Sequence, residues 1–573
     1  MDQKIPPNPA KAQRLVSEED RRIAYFSMEI GIESSVPTYS GGLGVLAGDT
    51  IKSFADLSVP AIAVTLLYQK GYFYQKLDDE GRQKELPYQW NPADTLELLP
   101  HKVSVTIENR PVLIQAWRYQ IKGITGYSIP VLFLDTNLVE NSEKDRHLTD
   151  FLYGGDERYR LCQEVILGIG GVRYLQEANY TGITKYHMNE GHSSLLTVEL
   201  LMEHRRRKQT CWDYDWVKRL CVFTTHTPVP AGMDQFSYPL VKEVLGDYIP
   251  LDILKHVAGE DRLNMTLLAL NLSDYENGVA KEHGRVSREL FPGYSIDWIT
   301  NGVHSSSWAG PGFASLFDNY IHGWKNDPFS LRYALSIPKD EMWNAHQTQK
   351  QKLIDFVNSK TAIKMDTNTL TIGFARRATA YKRADLIFHD LARLKKISKE
   401  KGRIQLVFAG KAHPHDEPGK ELIHKVVNMA KELGNDLPVV YLENYDISLA
   451  KMLISGVDVW LNNPRKPQEA SGTSGMKAAL NGIPSLSILD GWWIEGCIEG
   501  LTGWAIDSVK EETADDNANA AALYNKLEKD VIPRFYNNRE EWLTMMRHTI
   551  AINASFFNTH RMVQQYVLNA YLD

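Results

Sequence analysis

The chain has 573 residues, of which 43% are hydrophobic and 24% charged, with a formal net charge of −7. At roughly 100–200 residues per domain, this length implies more than one domain and cores that need no disulfide or metal staple. The acidic balance excludes a broad nucleic-acid-binding surface, which must be positive, but leaves room for a local basic cluster that holds a small phosphate.

Cys162, Cys211, Cys221 and Cys497 are scattered without a CxxC pair. Neither a zinc site nor a disulfide framework is expected, and reduced thiols in a cytosol are the simple reading. The opening MDQKIPPNPAKAQRLVSEEDRR lacks the apolar stretch of a secretory signal. No apolar run is long enough to span a bilayer. A cytoplasmic protein without membrane or nucleic-acid partners is expected.

In chain order, apolar runs between breaks predict strands at 23–28, 61–68, 129–134, 185–188 and 220–224. A helix is expected to open near Val45 after a glycine-rich turn. Segments 102–107 and 112–119 flank Asn109-Arg110 and read as an added hairpin, and 168–175 lies in a helix. A strand ends in a polar stretch near 301–307, which divides the chain into an N-terminal unit, 1–300, and a C-terminal unit, 301–573. The second unit alternates cleanly. Strands are expected at 370–375, 403–409, 439–442, 457–461 and 485–489. Between them lie helices marked by Leu386, Ile387, Leu391 and Leu394, by Leu422, Ile423, Val426, Met429, Ala430 and Leu433, and by Leu449, Met452 and Leu453. Ser448 is the expected cap of the last of these. Segment 511–519 reads as an acidic surface stretch and 542–572 as helical. This alternation describes an α/β protein with parallel, doubly wound sheets, in which ligand binds outside the carboxyl ends of the strands.

Three loops at such strand ends carry anion-binding chemistry. Glu469 to Gly482 reads EASGTSGMKAALNG, and its small residues let backbone N–H groups approach an anion at a helix start, with Lys477 close by. The glycine spacing is not that of a P-loop, and the plain alternative is a strand-to-helix turn with a surface lysine. Arg376, Arg377, Lys382 and Arg383 place four cations within eight residues after a strand. They are enough for one phosphate and better explained by two, against the plain reading of a solvated charge run. The turn YSGGLG, residues 39–44, is another helix start, equally readable as a tight connection. Asn189-Glu190-Gly191-His192 and Thr225-His226-Thr227-Pro228 end two further strands. His187, Glu190 and His192 lack the HExxH spacing and alternate along a strand, so no metal is expected. Asn301 is placed to bond a sugar hydroxyl or simply to cap a turn.

Taken together, YFSMEIG, YSGGLG, MNEGH, THTPVP, ITNG, ARRATAYKR, FAGKAHP, NYDISLA and EASGTSGMKAALNG resemble, in order, the α-glucan (glycogen, starch, maltodextrin) phosphorylase family from about residue 23 to about 499. The last motif is distinctive of that family. The resemblance implies the two-domain GT-B fold, made of two Rossmann-like domains with the active site between them. It also implies pyridoxal 5′-phosphate bound covalently at Lys477. By matching position, Arg376, Thr473, Ser474 and the backbone of Gly42 hold the cofactor phosphate, and Tyr445 lies beside its ring. Arg377 and Lys382 hold the substrate phosphate. Glu469, Ser471, Gly472, Asn301, Tyr381 and His226 contact the glucose unit, with Glu29, Glu190 and His192 in supporting positions. The implied reaction is phosphorolysis of an α-1,4-glucan from its non-reducing end, giving α-D-glucose 1-phosphate with retention.

The chain also departs from the longer animal and yeast forms. Its short N-terminus makes a phosphorylation switch there unexpected. Short segments between the N-terminal motifs put effector sites and the usual dimer contacts in question, though a homodimer remains one assembly the family allows. Ser474-Gly475 replaces the Gly-Asn of those forms, and DGWWIEG at 490–496 also differs. The alternatives are a nucleotide-sugar glycosyltransferase of similar fold, such as a glycogen synthase, and a silent glycan-binding protein on the same scaffold. The complete lysine motif and the retained Arg377, Lys382 and His226 weigh against both.

Overall fold

The computed structural model describes residues 20–209, 212–506 and 515–572. Cys211, most of the opening stretch and the part of the acidic segment at 511–514 lie outside the described residues. Among those described, no helix is long and apolar enough to cross a membrane.

Two sheets organise the molecule. The first contains β1 (Ile23–Ser27), β2 (Ala61–Leu66), β5 (Glu97–Ile107), β6 (Arg110–Lys122), β7 (Ser128–Asp135), β8 (Lys185–Asn189), β9 (Cys221–Thr224), β12 (Tyr275–Gly278) and β13 (Asp297–Trp298). Two small ribbons, β3 (Tyr74–Leu77) with β4 (Gln83–Leu86) and β10 (Gln235–Ser237) with β11 (Arg262–Asn264), stand apart from it. The order across the sheet is β13-β12-β9-β8-β1-β2-β7-β6-β5, parallel from β13 to β7 and antiparallel beyond. The added hairpin is therefore the edge of this sheet. Its turn is Glu108-Asn109, one residue earlier than the sequence reading, and both residues have left-handed φ (51° and 60°), as a two-residue hairpin turn requires.

The second sheet holds β14 (Leu370–Ala375), β15 (Ile404–Ala409), β16 (Val439–Leu442), β17 (Val459–Asn462), β18 (Ser485–Ser487) and β19 (Gly503–Ala505). Its order, β16-β15-β14-β17-β18-β19, is wholly parallel and doubly wound. Mainly apolar, fully buried strands such as LTIGFA and IQLVFA fit a sheet buried on both faces, and their two polar residues bond each other, Gln405 Nε2 donating to Thr371 Oγ1 (2.8 Å).

The helices that set the cleft are α1 (Gly42–Asp56), α2 (Glu417–Leu433), α3 (Ile447–Gly456), α4 (Ser474–Ala479) and α5 (Thr559–Tyr566). Three sequence readings shift here. α1 opens at Gly42, not near Val45. Asp446, not Ser448, caps α3: its carboxylate accepts from Leu449 N at 2.8 Å, while Ser448 lies in the first turn and its hydroxyl meets that of Ser34. The stretch from Leu386 to Leu394 is not one helix, because Asp390 caps a new helix at Leu391 and Leu386–Phe388 is a separate 3-10 turn.

The chain crosses between the sheets twice, after β13 and again before α5. Val303 N donates to Phe557 O (3.1 Å) and Thr559 N to Val303 O (3.0 Å), so the two crossovers run side by side. Met562, Val563, Tyr566, Ala570 and Tyr571, beyond the second crossing, lie in the core of the first sheet with Ile23, Tyr25 and Phe54. The last helix thus completes the N-terminal unit, although the sequence reading groups all of 301–573 together. Its apolar face matches the surface that α1 leaves on the first sheet, a partner too distant in sequence to be read. The β3–β4 ribbon reaches the other way. Gln75 Nε2 donates to Gly410 O (2.8 Å), Gln83 Nε2 donates to Ala412 O (2.9 Å), and Gln83 Oε1 accepts from Ala412 N (2.9 Å).

A Cβ on Gly302 would lie 2.2 Å from the carbonyl carbon of Asn558. Gly302→Ala is therefore expected to push the crossovers apart at a cost of about 1–3 kcal/mol, visible in calorimetry as a fall in Tm of about 1–2 °C.

Candidate active site

Each sheet brings its polar residues to the place where its strand order reverses. In the first sheet this is between β1 and β8. Asn189, ending β8, donates to Ser27 Oγ (3.1 Å) and accepts from His226 Nε2 (2.7 Å). Burial pushes the His226 imidazole down to about 3, so the ring is neutral and carries its proton on Nε2. Glu190 accepts from the N–H of Gly191 (2.9 Å) and His226 (2.8 Å) and from the Thr227 hydroxyl (2.9 Å). Its φ of 80° is the left-handed twist that turns the chain there.

Glu29 grips the glycine-rich turn. Its carboxylate accepts from Ser40 N (2.5 Å), Gly41 N (3.2 Å), the Ser40 hydroxyl (3.1 Å) and the Tyr153 hydroxyl (3.0 Å). Two N–H groups that the turn was expected to offer an anion are therefore taken. Gly42 is not: a Cβ there would meet nothing within 4 Å, so its backbone lies open. Asn301 is buried, donates from its backbone N to Val279 O (2.9 Å), and has a side-chain Oδ1 with no partner among the described residues.

In the second sheet the reversal lies between β14 and β17. Arg376 follows β14 and donates to Asn462 Oδ1 at the end of β17 (2.9 Å) and to Glu469 Oε2 (2.6 Å). Lys382 Nζ lies 3.1–3.2 Å from both Glu469 oxygens. Burial alone would raise the Glu469 carboxyl, but Arg376 and Lys382 together hold it below its ordinary value. Lys382 is pushed down to about 8, first by burial and then by the like charge of Arg376, against the pull of Glu469. Arg377 is exposed and makes no hydrogen bond or ion pair among the described residues, and its field reaches Tyr72 and His413. Arg383 turns away from the cleft and donates to Asn463 O (2.8 Å), Pro464 O (2.9 Å) and Asp516 (2.8 Å). The run of four cations thus divides into two gathered on one carboxylate, one free and one structural.

The Tyr381 ring lies under Lys382, whose Nζ is 4.8 Å from its centroid. Gly472 has a left-handed φ of 75°, and the Ser471 hydroxyl donates to its carbonyl (3.3 Å). Thr473 leads into α4, and Ser474 Oγ accepts from Trp460 Nε1 (3.0 Å). Lys477 is buried with its Nζ 4.1 Å from the Trp308 ring centroid, and burial pushes its amine down to about 8. Tyr445 lines a narrow cavity with Tyr39, Ser40, Tyr72, Phe73 and Lys411.

This combination of free and reversibly paired cations, a neutral imidazole and an unused amide oxygen suits a polyol beside phosphate. The comparisons agree. A carbohydrate phosphorylase family profile matches residues 251–500. A maltodextrin phosphorylase of Thermococcus litoralis is 41% identical over 95% of this chain and 70% of its own length. The chain belongs to the α-glucan phosphorylase family. A glycogen phosphorylase of Mycobacterium tuberculosis is 38% identical over 96% of this chain and 70% of its own length, and one of Aquifex aeolicus 34% identical over 96% and 86%.

The members of the resemblance-derived set do not all meet directly. Glu469, Arg376 and Lys382 touch, and Tyr381 packs beneath them. His226 and Asn301 stand on the opposite sheet, and Lys477 lies deeper, behind the small-residue turn. His187, Glu190 and His192 have separate partners: His187 bonds Tyr571 and Thr224, while His192 lies 3.4 Å from Asp234. Asp56, His304 and His560 have metal-ligand proximity. Their hydrogen bonds already account for the arrangement, since Asp56 accepts from His304 Nε2 (2.8 Å), His560 Nε2 (3.1 Å) and Ile124 N (2.9 Å). Asp490 was missed in sequence. It accepts from Glu469 N and Gly491 N, both at 2.9 Å, and burial raises its carboxyl to about 7. The departure DGWWIEG pointed at the position without giving it a task.

Sulfate keeps constant charge through the neutral and alkaline range and probes this cluster. Its affinity is expected to fall as pH rises through about 8, where Lys382 loses its proton. In Lys382→Arg the fall should be smaller, because guanidinium does not deprotonate there while the buried Lys477 and Lys411 amines still do. Isothermal titration of both proteins at several pH values checks this.

Proposed function

We propose that this chain removes glucose from the non-reducing end of an α-1,4-glucan by phosphorolysis, giving α-D-glucose 1-phosphate with retention and using pyridoxal 5′-phosphate attached at Lys477. The observation that supports this reading is that free Arg377 and the Arg376–Glu469–Lys382 cluster follow strands of the second sheet, while neutral His226 and the unused Asn301 Oδ1 follow strands of the first.

The residues present suit the cofactor. Lys477 is a buried amine resting on an indole instead of a carboxylate. The Gly42 backbone is open, and Arg376 keeps a buried Nε without a partner. Arg376, the backbone of the Thr473–Ser474 turn and Gly42 would hold its phosphate, with Tyr445 beside the ring. When bound, the cofactor supplies a second phosphate able to exchange a proton with the substrate phosphate.

Arg377 and Lys382 hold the substrate phosphate. Two phosphates held close together repel, and cations in a water-poor cleft offset that repulsion. Asn301 accepts from a glucose hydroxyl, and His226, locked by Asn189 and Glu190, presents a fixed ring to the same sugar. Tyr381, Glu469, Ser471 and Gly472 complete its surroundings. The departing glucan oxygen takes its proton from the substrate phosphate. The anomeric carbon, cationic as the bond breaks, is then captured by a phosphate oxygen on the same face. The cytoplasm, rich in phosphate, is the proposed setting.

The deciding assay measures phosphate released from glucose 1-phosphate with maltodextrin as acceptor. Turnover that requires a nucleotide sugar instead would sink the proposal. Lys477→Ala is expected to lose both activity and retained pyridoxal phosphate with the circular dichroism of the parent. Arg377→Ala is expected to raise KM for phosphate by about tenfold to a hundredfold, the worth of one charge-assisted bond. Its KM for maltodextrin should be nearly unchanged.

A further inference from the structure

Lys477 is held from behind by a residue to which neither the motifs nor the relatives assign a role. Asp49 lies in the middle of α1 and is 1% exposed. The same helix turns Leu46, Ala47, Ile51, Phe54 and Ala55 into the core of the first sheet. An unpaired carboxylate on such a helix would be costly to bury. Asp49 Oδ2 instead accepts from Trp308 Nε1 (2.7 Å) and from the backbone N of His304 (3.2 Å). Trp308 presents its ring face to Lys477 Nζ at 4.1 Å. The Trp308 carbonyl accepts from Asn481 Nδ2 (3.0 Å), one turn beyond Lys477, and Asn481 Oδ1 takes Gly310 N (2.6 Å). The first crossover is therefore fastened to α1 on one side and to the α4 region on the other. Trp308 lies between the carboxylate and the amine.

Among the described residues, the charged and titratable groups around this amine are few. α1 contributes Asp49 and Lys52, and the Lys52 ammonium donates to Ile32 O (3.0 Å). α3 contributes Lys451, 5.9 Å from the same indole. The crossover contributes His304, whose ring is engaged by Asp56 and Ser307. Asp49 is thus the carboxylate set against two further lysines.

We propose that Asp49 is a positioning residue for Lys477, fixing through Trp308 the plane on which the amine rests and supplying the carboxylate charge that faces it. The purpose of this device rests on the reading of Lys477 as the cofactor lysine, whereas its geometry does not. Burial drives the Lys477 amine down, Asp49 opposes this and Lys52 adds to it. Removing the Asp49 charge must therefore lower the amine further and make it more nucleophilic at neutral pH.

The test is trace acetylation of the full-length protein, stripped of cofactor, across the neutral to alkaline range. Labelling of Lys477 is read by peptide mass spectrometry against exposed Lys396 as internal reference. Asp49→Asn keeps an acceptor for the indole and removes the charge. Its Lys477 midpoint is expected to fall by about one pH unit, raising labelling at neutral pH about fivefold, and Asp49→Glu should restore the parent midpoint. An unchanged midpoint in folded Asp49→Asn overturns the proposal. Should that variant fail to fold, Trp308→Phe carries the test, because it keeps the anion and loses the N–H that the anion holds. Its pyridoxal phosphate retained after gel filtration is expected to fall at least about tenfold, the loss of one charge-assisted bond, and parent-like retention would overturn the proposal. A shifted midpoint in a protein that never retains pyridoxal phosphate would uphold the role of Asp49 and refute the cofactor reading alone.

Discussion

The cleft depends on two chain crossings that lie backbone to backbone. Two parallel sheets can share one site only if their carboxyl edges stay turned toward each other. Here that orientation is set where residues 302–303 meet 557–559. Asn301 lies at one end of the first crossing and Trp308 at the other, so the joint locates both an unpartnered buried amide oxygen and the ring on which the buried lysine rests. α5 closes the arrangement by returning the chain to the first sheet, where Tyr566 and Tyr571 pack with the core and bond to Thr224 and His187. A close-packed glycine, a bridge and one returning helix make this joint, and the Gln75–Gln83 clasp ties the same units at a second place.

Within the cleft, charge is stored in a form that a ligand can use. Three cations beside β14 would repel one another in a low-dielectric setting. Glu469 gathers Arg376 and Lys382 without consuming Arg377, and Asp490 steadies the Glu469 backbone. The opposite wall is neutral by construction, because burial removes the charge of His226 while Asn189 and Glu190 fix its ring and backbone. Paired and free cations thus follow strands of one sheet, and a neutral imidazole follows a strand of the other.

Much of this was legible in the sequence, and the exceptions share a cause. Strand positions in the second sheet followed from mainly apolar runs such as IQLVFA, and the strand-end loops from the glycines and charges that end them. Local competition decided the misplaced helix starts: Asp446 outbids Ser448 as a cap, and Asp390 breaks what the leucine spacing presents as one helix. The site residues most readable were those in contiguous motifs, such as Arg376 to Lys382. Asp49, Trp308 and Asp490 act across long sequence separations. Their only local signature is a carboxylate at spacing seven from Asp56 on a mostly apolar helix, or a motif that departs from its relatives. The return of α5 to the first sheet leaves no local trace, since an amphipathic helix does not name the surface that it covers.

The β3–β4 ribbon closes one side of the cleft with Gln75 and Gln83, both buried, gripping the backbone at Gly410 and Ala412. Amides carry no net charge, so dissolved ions do not screen this clasp as they screen exposed charges. The cations beside β14 obey the opposite rule. In a cell whose ionic strength drifts, the walls of the cleft keep their spacing while the pull on an incoming anion rises and falls. Shape and attraction are thereby assigned to different kinds of bond, and the surrounding medium can tune one without deforming the other.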